Sequence, residues 1–230
     1  MNYLAIGLLV IIFIIVYYIY DYATNNTLTS GLSPLNTPLT VTYDKLINPN
    51  SLTYSYQAWF YLSSPTAGST QLFYRGSIVK DSKSDFEVDI NGQTLTLSAG
   101  RGGQNSTLNQ VMSITSNFPI QKWTYLVINV YNLNTFEAYI NGKLVKTINV
   151  TNGSQLVPSS STSSLTIGNQ SLNGYVTKFI RLPSTLDAKT IWQNYLKGNG
   201  LSSLISSIMP YGLNMSISNG EDVVRVVNVF

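Results

Sequence analysis

The chain has 230 residues, of which 44% are hydrophobic and only 10% are charged, and its net charge is +3. It contains no cysteine and no histidine, which excludes disulfides, thiolate metal sites and catalysis by either residue. The positive charge is scattered and forms no basic run, so nucleic acid is not a predicted partner. A chain of this length can bury one core, and we expect one globular domain with short appendages.

Residues 1–23 predict a membrane anchor that is not cleaved. The run from Leu4 to Ile19 has no charge and no proline, and a helix of about 20 residues spans the ~30 Å hydrocarbon layer. No Lys or Arg precedes this run, and cleavage after Ala23 would place Asp21 where a signal peptidase needs a small residue. The lipid bilayer is therefore a predicted partner of a single-pass membrane protein. The expected anchor residues are Leu4, Leu8, Ile11, Ile15 and Ile19, with Tyr17, Tyr18 and Tyr20 at the headgroup boundary.

Residues 24–50 are rich in Thr, Asn, Ser and Pro, which predicts an extended spacer between the anchor and the domain. Within this segment Leu39, Val41 and Tyr43 alternate with polar residues. Such alternation is typical of a strand. We therefore expect that part of the spacer can add an edge strand to a sheet.

Residues 51–198 predict an all-β domain, because Asn-Gly dipeptides recur and punctuate short antiparallel strands. The clearest stretch, Lys122 to Val150, predicts three successive strands with a tight turn at Asn141-Gly142. Its first strand is apolar on both faces, as expected for a strand buried between two layers. Trp123 and Phe136 are expected to lie in the core.

Several motifs in this region resemble those of the laminin-G-like, concanavalin A-like jelly rolls. They are Tyr54–Tyr61, Leu72–Gly76, Asp85–Gly92 with Thr94–Leu97, Pro119–Thr124 followed by Phe136–Val145, and Leu165–Gly168 with Leu172–Val176. The resemblance implies a concanavalin A-like (laminin-G-like) antiparallel β-sandwich jelly roll. With the N-terminal segment, the predicted architecture is this sandwich preceded by one transmembrane helix.

After the last core strand, the sequence predicts a closing helix. Ser184 and Asp187 give a capping-box-like start, and Gly198 ends the helix. Its apolar side consists of Leu186, Ile191, Trp192 and Tyr195.

Residues 199–230 predict a further helix and a hairpin whose last strand, Asp222 to Phe230, is apolar on both faces. Such a strand aggregates if it is left uncovered. It therefore either completes the sandwich or docks on another protein, and the docking candidates are Val224, Val226 and Phe230.

Three carboxylates, Asp85, Glu87 and Asp89, alternate on one predicted strand and share one face. Some enzymes of the concanavalin A-like fold hydrolyse β-glucans with carboxylates in the order Glu, Asp, Glu. Here the order is Asp, Glu, Asp, and on an open strand face we expect all three to be ionised and none to be catalytic.

No cofactor and no metal site is predicted. Some relatives bind calcium, and Asp81, Asp85 and Asn105 are candidates by residue type only. Four tyrosines can either stack on sugars or fill cross-strand pairs. They are Tyr61, Tyr74, Tyr125 and Tyr139.

These features predict a non-enzymatic, membrane-anchored structural or interaction protein. Tethered jelly rolls rich in Asn, Tyr and Ile resemble minor virion proteins of large membrane-containing DNA viruses. That resemblance implies a location in the virion and neighbouring structural proteins of the capsid as partners. The alternative function is a membrane-anchored lectin with glycans as partners, and a glycoside hydrolase comes third.

Overall fold

The alternation of apolar and polar residues produces two six-stranded sheets in which all neighbouring strands are antiparallel. The structure is a computed structural model, and it describes residues 9, 11–17, 27–29, 31–76, 86–99, 110–149, 163–200, 214–219 and 222–228. The two sheets form the β-sandwich that the sequence predicts.

Sheet A contains, in spatial order, β1 (Ser33–Pro34), β12 (Gly174–Leu182), β3 (Tyr54–Leu62), β8 (Thr124–Tyr131), β9 (Thr135–Ile140) and β10 (Lys143–Asn149). Sheet B contains β2 (Leu39–Val41), β11 (Leu165–Ile167), β4 (Thr70–Arg75), β5 (Phe86–Asn91), β6 (Thr94–Ala99) and β7 (Gln110–Thr115). Among the described strands of these two sheets, consecutive strands pair within β4–β7 and β8–β10, and the other connections from β1 to β12 cross between the sheets.

The core lies between the inner faces of the two sheets and is rich in aromatic rings. The ring of Tyr56 on β3 lies 5.3 Å from Phe73 and 5.1 Å from Phe86, which both belong to sheet B. Each such buried side chain contributes about 1.5–3 kcal/mol through the apolar area removed from water. The fully buried aromatic side chains are Tyr56, Phe60, Phe73, Phe86, Phe118, Phe136 and Phe179.

The strands predicted between Lys122 and Val150 are confirmed as β8, β9 and β10. Asn141 and Gly142 have φ angles of 52° and 78°, which form the tight turn between β9 and β10. Phe136 lies in the core, as expected. The expectation for Trp123 is wrong: its side chain is half-buried on the opposite face of the sheet, because it has the same strand parity as Tyr125 and Val127.

The 24–50 segment is not a spacer over its described part, because it belongs to the sandwich. Ser33–Pro34 pairs with β12, and Leu39–Val41 pairs with β11 as the predicted edge strand. The prolines of this segment do not prevent its apolar side chains from reaching the core. Those side chains are Leu35, Leu46 and Val41, which are 0%, 4% and 7% exposed.

The closing helix spans Ala188–Leu196 and ends at Gly198, whose φ is +70°. Its N-cap is Asp187, whose carboxylate accepts a hydrogen bond from the backbone N–H of Thr190 at 3.0 Å. The cap therefore lies three residues after the predicted Ser184. The helix itself is confirmed.

The two ends of the chain are described in part. Residues 11–17 are helical, and no helix within the described residues is long and apolar enough to cross a membrane. The predicted C-terminal hairpin is present as β13 (Asn214–Asn219) and β14 (Asp222–Asn228), which form a separate two-stranded sheet. Among the described strands, β14 therefore does not complete the sandwich.

Candidate functional site

The outer face of sheet A, which points away from sheet B, carries a second apolar cluster beneath the closing helix. Trp59, Tyr125, Val127 and Tyr139 from three strands surround Ile191 of the helix, which is 0% exposed. The ring of Tyr195 stacks on that of Trp59 at 5.6 Å. The helix thus covers the middle of this face.

Polar side chains beneath the helix fix its position. The amide group of Asn129 donates to the carbonyl oxygen of Leu186 at 2.8 Å, and its side-chain oxygen accepts from the N–H of Leu186 at 3.1 Å. The Tyr125 hydroxyl donates to Gln57, whose side-chain oxygen also accepts from Asn194 of the helix. Because burial raises the pKa of Tyr125 well above its usual range, this hydroxyl remains a donor.

Beyond the helix, three aromatic side chains lie side by side across three strands. Tyr175 on β12 is opposite Tyr61 on β3, and the ring of Tyr61 lies 5.6 Å from that of Trp123, just before β8. Tyr175 is 42% exposed, while Tyr61 and Trp123 are half-buried. We call Tyr175, Tyr61 and Trp123 the aromatic row.

A glycine brings the strands of the aromatic row together. A Cβ atom at Gly174 would lie 2.0 Å from the carbonyl oxygen of Tyr61. Any larger residue would therefore push β12 away from β3 and separate Tyr175 from Tyr61. The row depends on rigid strands and on this close backbone approach.

Polar groups surround the aromatic row at the same end of sheet A. The N–H of Ser63 donates to the carbonyl oxygen of Asn173 at 2.8 Å, and the Gln121 side chain donates to the carbonyl oxygen of Ser63 at 3.3 Å. Asn173, Gln121 and Lys122 are exposed. Their side chains are hydrogen-bond donors and acceptors next to an apolar surface, an arrangement suited to an amphipathic ligand.

The outer face of sheet B carries the predicted carboxylates of β5. Glu87 and Asp89 are half-buried and point outward, while Phe86, Val88 and Ile90 are 0% exposed on the inner face. The predicted alternation is therefore confirmed for these residues. The third carboxylate, Asp85, lies outside the described residues.

The expectation that these carboxylates are all ionised is wrong for Asp89. Its partial burial, followed by the charge of Glu87 and a hydrogen bond between the two carboxyls, raises the pKa of Asp89 to about 7.

A family model described as the concanavalin A-like lectin/glucanases superfamily, laminin G type, matches residues 36–198. The chain belongs to this superfamily. A comparison with curated proteins finds no match.

Solved structures with the concanavalin A-like fold include several neurotoxin domains. The binding domain of botulinum neurotoxin serotype D/C has a TM-score of 0.54 and 18% identity, over 70% of this chain and 40% of that one. The binding domain of botulinum neurotoxin DC in complex with rat synaptotagmin II has a TM-score of 0.52 and 19% identity, over 70% and 40%. A structure of botulinum neurotoxin type C, whose cell entry depends on two ganglioside molecules, has a TM-score of 0.51 and 18% identity, over 70% and 39%.

At these identities the likeness to the neurotoxin domains shows the fold alone. This chain spans about 40% of the length of those solved chains.

On this concanavalin A-like sandwich, the four tyrosines for which both sugar stacking and cross-strand pairing were considered are dispersed. Tyr125 and Tyr139 are buried under the closing helix, and Tyr74 is 9% exposed in sheet B. Only Tyr61 remains at the surface. The sequence prediction missed its two neighbours in the row because Trp123 was expected in the core, and Tyr175 had no predicted role.

The other predicted site residues are the calcium, anchor and docking candidates. They lie near the ends of the chain or in segments that the structure does not describe. Within the described residues, no group of three or more acidic side chains can hold a metal ion. Of the calcium candidates, Asp81, Asp85 and Asn105 all lie outside the described residues. Of the anchor and docking residues, Ile11, Ile15, Tyr17, Val224 and Val226 are described, whereas Leu4, Leu8, Tyr18, Ile19, Tyr20 and Phe230 are not.

Proposed function

We propose that this protein is a carbohydrate-binding protein without enzymatic activity, and that the aromatic row is its sugar-contacting surface. The observation that carries this proposal is the grouping of the exposed Tyr175 with the half-buried Tyr61 and Trp123 on one face of sheet A, beside exposed polar side chains. The closing helix does not bury these three side chains, whereas it buries Tyr125 and Tyr139.

The chemistry of the row suits a pyranose ring. The face of an aromatic ring is electron-rich and apolar, and it attracts the C–H groups on one face of a sugar. The sugar hydroxyls at the ring edge can bond to Asn173, Gln121 and Lys122, which border the row. Rigid strands hold the rings in place, so little conformational entropy is lost on binding.

Two observations favour a binding role over catalysis. The superfamily contains lectins as well as glucanases, and Asp85, Glu87 and Asp89 stand in the order Asp, Glu, Asp rather than the Glu, Asp, Glu of the glucanases. A neurotoxin with the same fold depends on gangliosides for cell entry. That protein offers an analogy for glycan binding on this fold, and no residue role is transferred from it.

We further propose that the N-terminal segment attaches the domain to a membrane as a single-pass anchor. Residues 11–17 are helical, and every one of their large apolar side chains is at least 50% exposed. An apolar surface on all sides of a helix suits a lipid environment and is unfavourable in water. The anchor would present the sandwich close to the bilayer surface.

The C-terminal hairpin favours a second candidate function, that of a structural protein. Among the described strands, β13 and β14 pair only with each other, and an open two-stranded sheet can accept a strand from a partner. Val226 lies opposite Ser216 in this hairpin. In this function Val224, Val226 and Phe230 would dock on neighbouring proteins, such as those of a virion shell.

A glycan array tests the first function with the full-length protein in a maltoside detergent, blocked against the detergent sugar. We expect wild-type protein to bind a restricted set of glycans, and Tyr175→Ala and Tyr61→Ala to lose that binding. Tyr43→Ala is the matched control, because this tyrosine is half-buried outside sheet A and should leave binding unchanged. Absence of any glycan signal, or equal binding by all variants, would refute the sugar proposal.

Removal of residues 214–230 tests the second function. If the hairpin docks on a partner, the truncated protein keeps the melting temperature of its sandwich and no longer co-purifies with the native assembly. If the truncated protein still co-purifies, the docking role is wrong. Glycan binding of the truncated protein separates the two functions, since only the sugar proposal requires it to persist.

A further inference from the structure

A cavity of about 160 Å³ lies where the N-terminal segment joins the edge of sheet A. The N–H of Leu28 donates to the carbonyl oxygen of Phe179 on β12 at 2.7 Å, and Thr27 bridges Ile180. These contacts hold the segment beside the loop that follows the short 3-10 helix Tyr43–Lys45. The lining residues are Thr27, Leu28, Lys45, Leu46, Ile47 and Arg181.

Arg181 is a buried cation whose partners are all neutral. It is 2% exposed, and its terminal nitrogens donate to the carbonyl oxygens of Ile47 at 2.8 Å, Asn48 at 3.4 Å and Pro49 at 3.2 Å. Its guanidinium carbon lies 5.2 Å from the centre of the Tyr54 ring. The Nε atom is buried and has no hydrogen-bond partner within the described residues.

The charge balance of the cavity is incomplete. The described hydrogen bonds of the Arg181 guanidinium go to backbone carbonyls, and Lys45 interacts electrostatically with the exposed Asp44 beside it. The remaining lining side chains are uncharged. Removing a charge from water is costly unless an opposite charge compensates it. A cavity lined by a buried guanidinium that has no carboxylate partner within the described residues is therefore a favourable place for an anion.

We propose that this cavity binds a phosphate group, with Arg181 beneath it and Lys45 at the rim. Arginine donates in a fixed fork that matches phosphate oxygens, and lysine adds a point charge. The Thr27 hydroxyl supplies a further donor. Such donors, arranged around one small space, suit a tetrahedral oxyanion with several acceptor oxygens better than a planar carboxylate.

The volume of the cavity fits a phosphate that carries part of an ester. One water needs only about 10–15 Å³ of such space, so a cavity of about 160 Å³ has room for one such oxyanion. The side chains of Leu28, Leu46 and Ile47 offer apolar contact to the carbon atoms of an ester. The phosphate comes either from a soluble ester or from a lipid headgroup, because the cavity adjoins the segment that follows the apolar N-terminal residues.

The proposal is tested by thermal unfolding of the full-length protein in dodecyl maltoside, followed by tryptophan fluorescence. Inorganic phosphate is titrated against chloride at equal ionic strength, and the melting temperature should rise to a plateau. Lys45→Ser should weaken the apparent phosphate affinity by about fivefold, since an exposed charge contributes modestly. Arg181→Lys should abolish the response.

A further variant keeps the test decisive if Arg181→Lys does not fold. Ile47 is 46% exposed and lines the cavity, so Ile47→Glu places a carboxylate beside Arg181 at an accessible position. This variant should melt higher than the wild type without phosphate and should no longer respond to it. Leu52→Glu is the matched control, because Leu52 is 45% exposed and is not a lining residue.

Adding lipids to the micelles in the same unfolding experiment identifies the source of the phosphate. Phosphatidic acid is added to the micelles, with diacylglycerol as the phosphate-free control. If phosphatidic acid raises the melting temperature and removes the response to inorganic phosphate, the site takes a lipid headgroup. If it does neither while inorganic phosphate still acts, the site takes a soluble phosphate. The proposal is overturned if phosphate has no effect beyond that of chloride, or if Ile47→Glu responds like Leu52→Glu.

Discussion

Arg75 and Arg181 approach the same backbone carbonyl from different sheets. Arg75 on β4 of sheet B donates to the oxygen of Pro49 at 2.6 Å, and Arg181 on β12 of sheet A donates to the same oxygen at 3.2 Å. Both side chains are almost fully buried, at 1% and 2% exposure. The loop at Pro49 is therefore a bridge between the two sheets at one end of the sandwich.

Replacement of Arg75 by methionine should destabilise the fold. The substitution removes the hydrogen bonds to Pro49 and to Ser163 while keeping much of the side-chain volume. Hydrogen bonds from a charged donor contribute about 1.5–3 kcal/mol each, so we expect a loss of about 3 kcal/mol. This corresponds to a fall in melting temperature of roughly 6–12 °C for a domain of this size.

The matched control for the arginine is Lys189→Met, which removes a cation from an exposed position on the closing helix. Its melting temperature should stay within about 2 °C of the wild type. If Arg75→Met is no less stable than this control, the bridge at Pro49 does not stabilise the sandwich.

A comparison of two Asn-Gly turns separates the packing of Gly142 against Trp192 from the backbone strain that both turns share. Gly92 and Gly142 both have positive φ angles, of +61° and +78°, and alanine at either should cost about 1–2 kcal/mol in backbone strain. A Cβ at Gly142 would also lie 2.6 Å from the Trp192 ring, whereas a Cβ at Gly92 meets nothing within 4 Å.

Gly142→Ala should therefore destabilise the protein more than Gly92→Ala, by a further 1–3 kcal/mol or so of overpacking. The measurement compares the melting temperatures of both variants. Equal losses would mean that Trp192 does not pack on this turn, and the closing helix would then need a different position on sheet A.

The raised pKa of Asp89 should make stability depend on pH. The pKa of Asp89 is raised from 3.8 to about 7, so the folded protein binds this proton more tightly than the unfolded chain does. The resulting stabilisation is fully present below pH 3.8 and is lost as the pH rises through about 7. The melting temperature of the wild type should therefore fall between about pH 4 and pH 7.

Asp89→Asn should flatten this pH dependence, because the amide keeps a hydrogen-bond donor near Glu87 and does not titrate. Asp44→Asn serves as the control: hydrogen bonds, first of all to Thr42, lower the pKa of Asp44, so its titration falls outside this window. The raised pKa of Asp89 is contradicted if the melting temperature of the wild type does not change between these pH values. It is also contradicted if Asp89→Asn keeps the same dependence of melting temperature on pH.

The two aromatic residues expected in the core should now respond differently to truncation. Phe136 is 2% exposed in the main core, and Phe136→Ala should cost about 3–5 kcal/mol. Trp123 is half-buried beside the second cluster, so Trp123→Ala should cost less than Phe136→Ala. Urea titration of both variants checks the order, and the reverse order would return Trp123 to the core.

Local patterns in the sequence were sufficient to predict the sheets but not their contacts. The alternation in β8, the Asn141-Gly142 turn and the edge strand Leu39–Val41 follow from neighbouring residues, whose period of two fixes which side chains share a face. The same parity applied to Trp123 would have placed it on the outer face. Trp123 was instead predicted to lie in the core because the tryptophan side chain is strongly apolar.

The site was harder to predict because its residues come together from distant parts of the chain. Tyr61, Trp123 and Tyr175 become neighbours only through the order of β8, β3 and β12 in sheet A. Likewise, no local pattern indicates that Arg181 turns inward, since the bulge between Thr177 and Ile180 reverses the parity of β12. Long-range register determines both features.

The pairing of the N-terminal segment with β12 also has a mechanical consequence. The segment runs antiparallel to this strand, with Thr27 opposite Ile180 and Pro34 opposite Tyr175. Tension applied to the chain before Thr27 therefore acts on these contacts one after another, beginning with Thr27 and ending with Pro34. The N-terminal segment would separate from β12 at low force while the interior strands stay paired. The first few ångströms of extension would therefore protect the sandwich from unfolding.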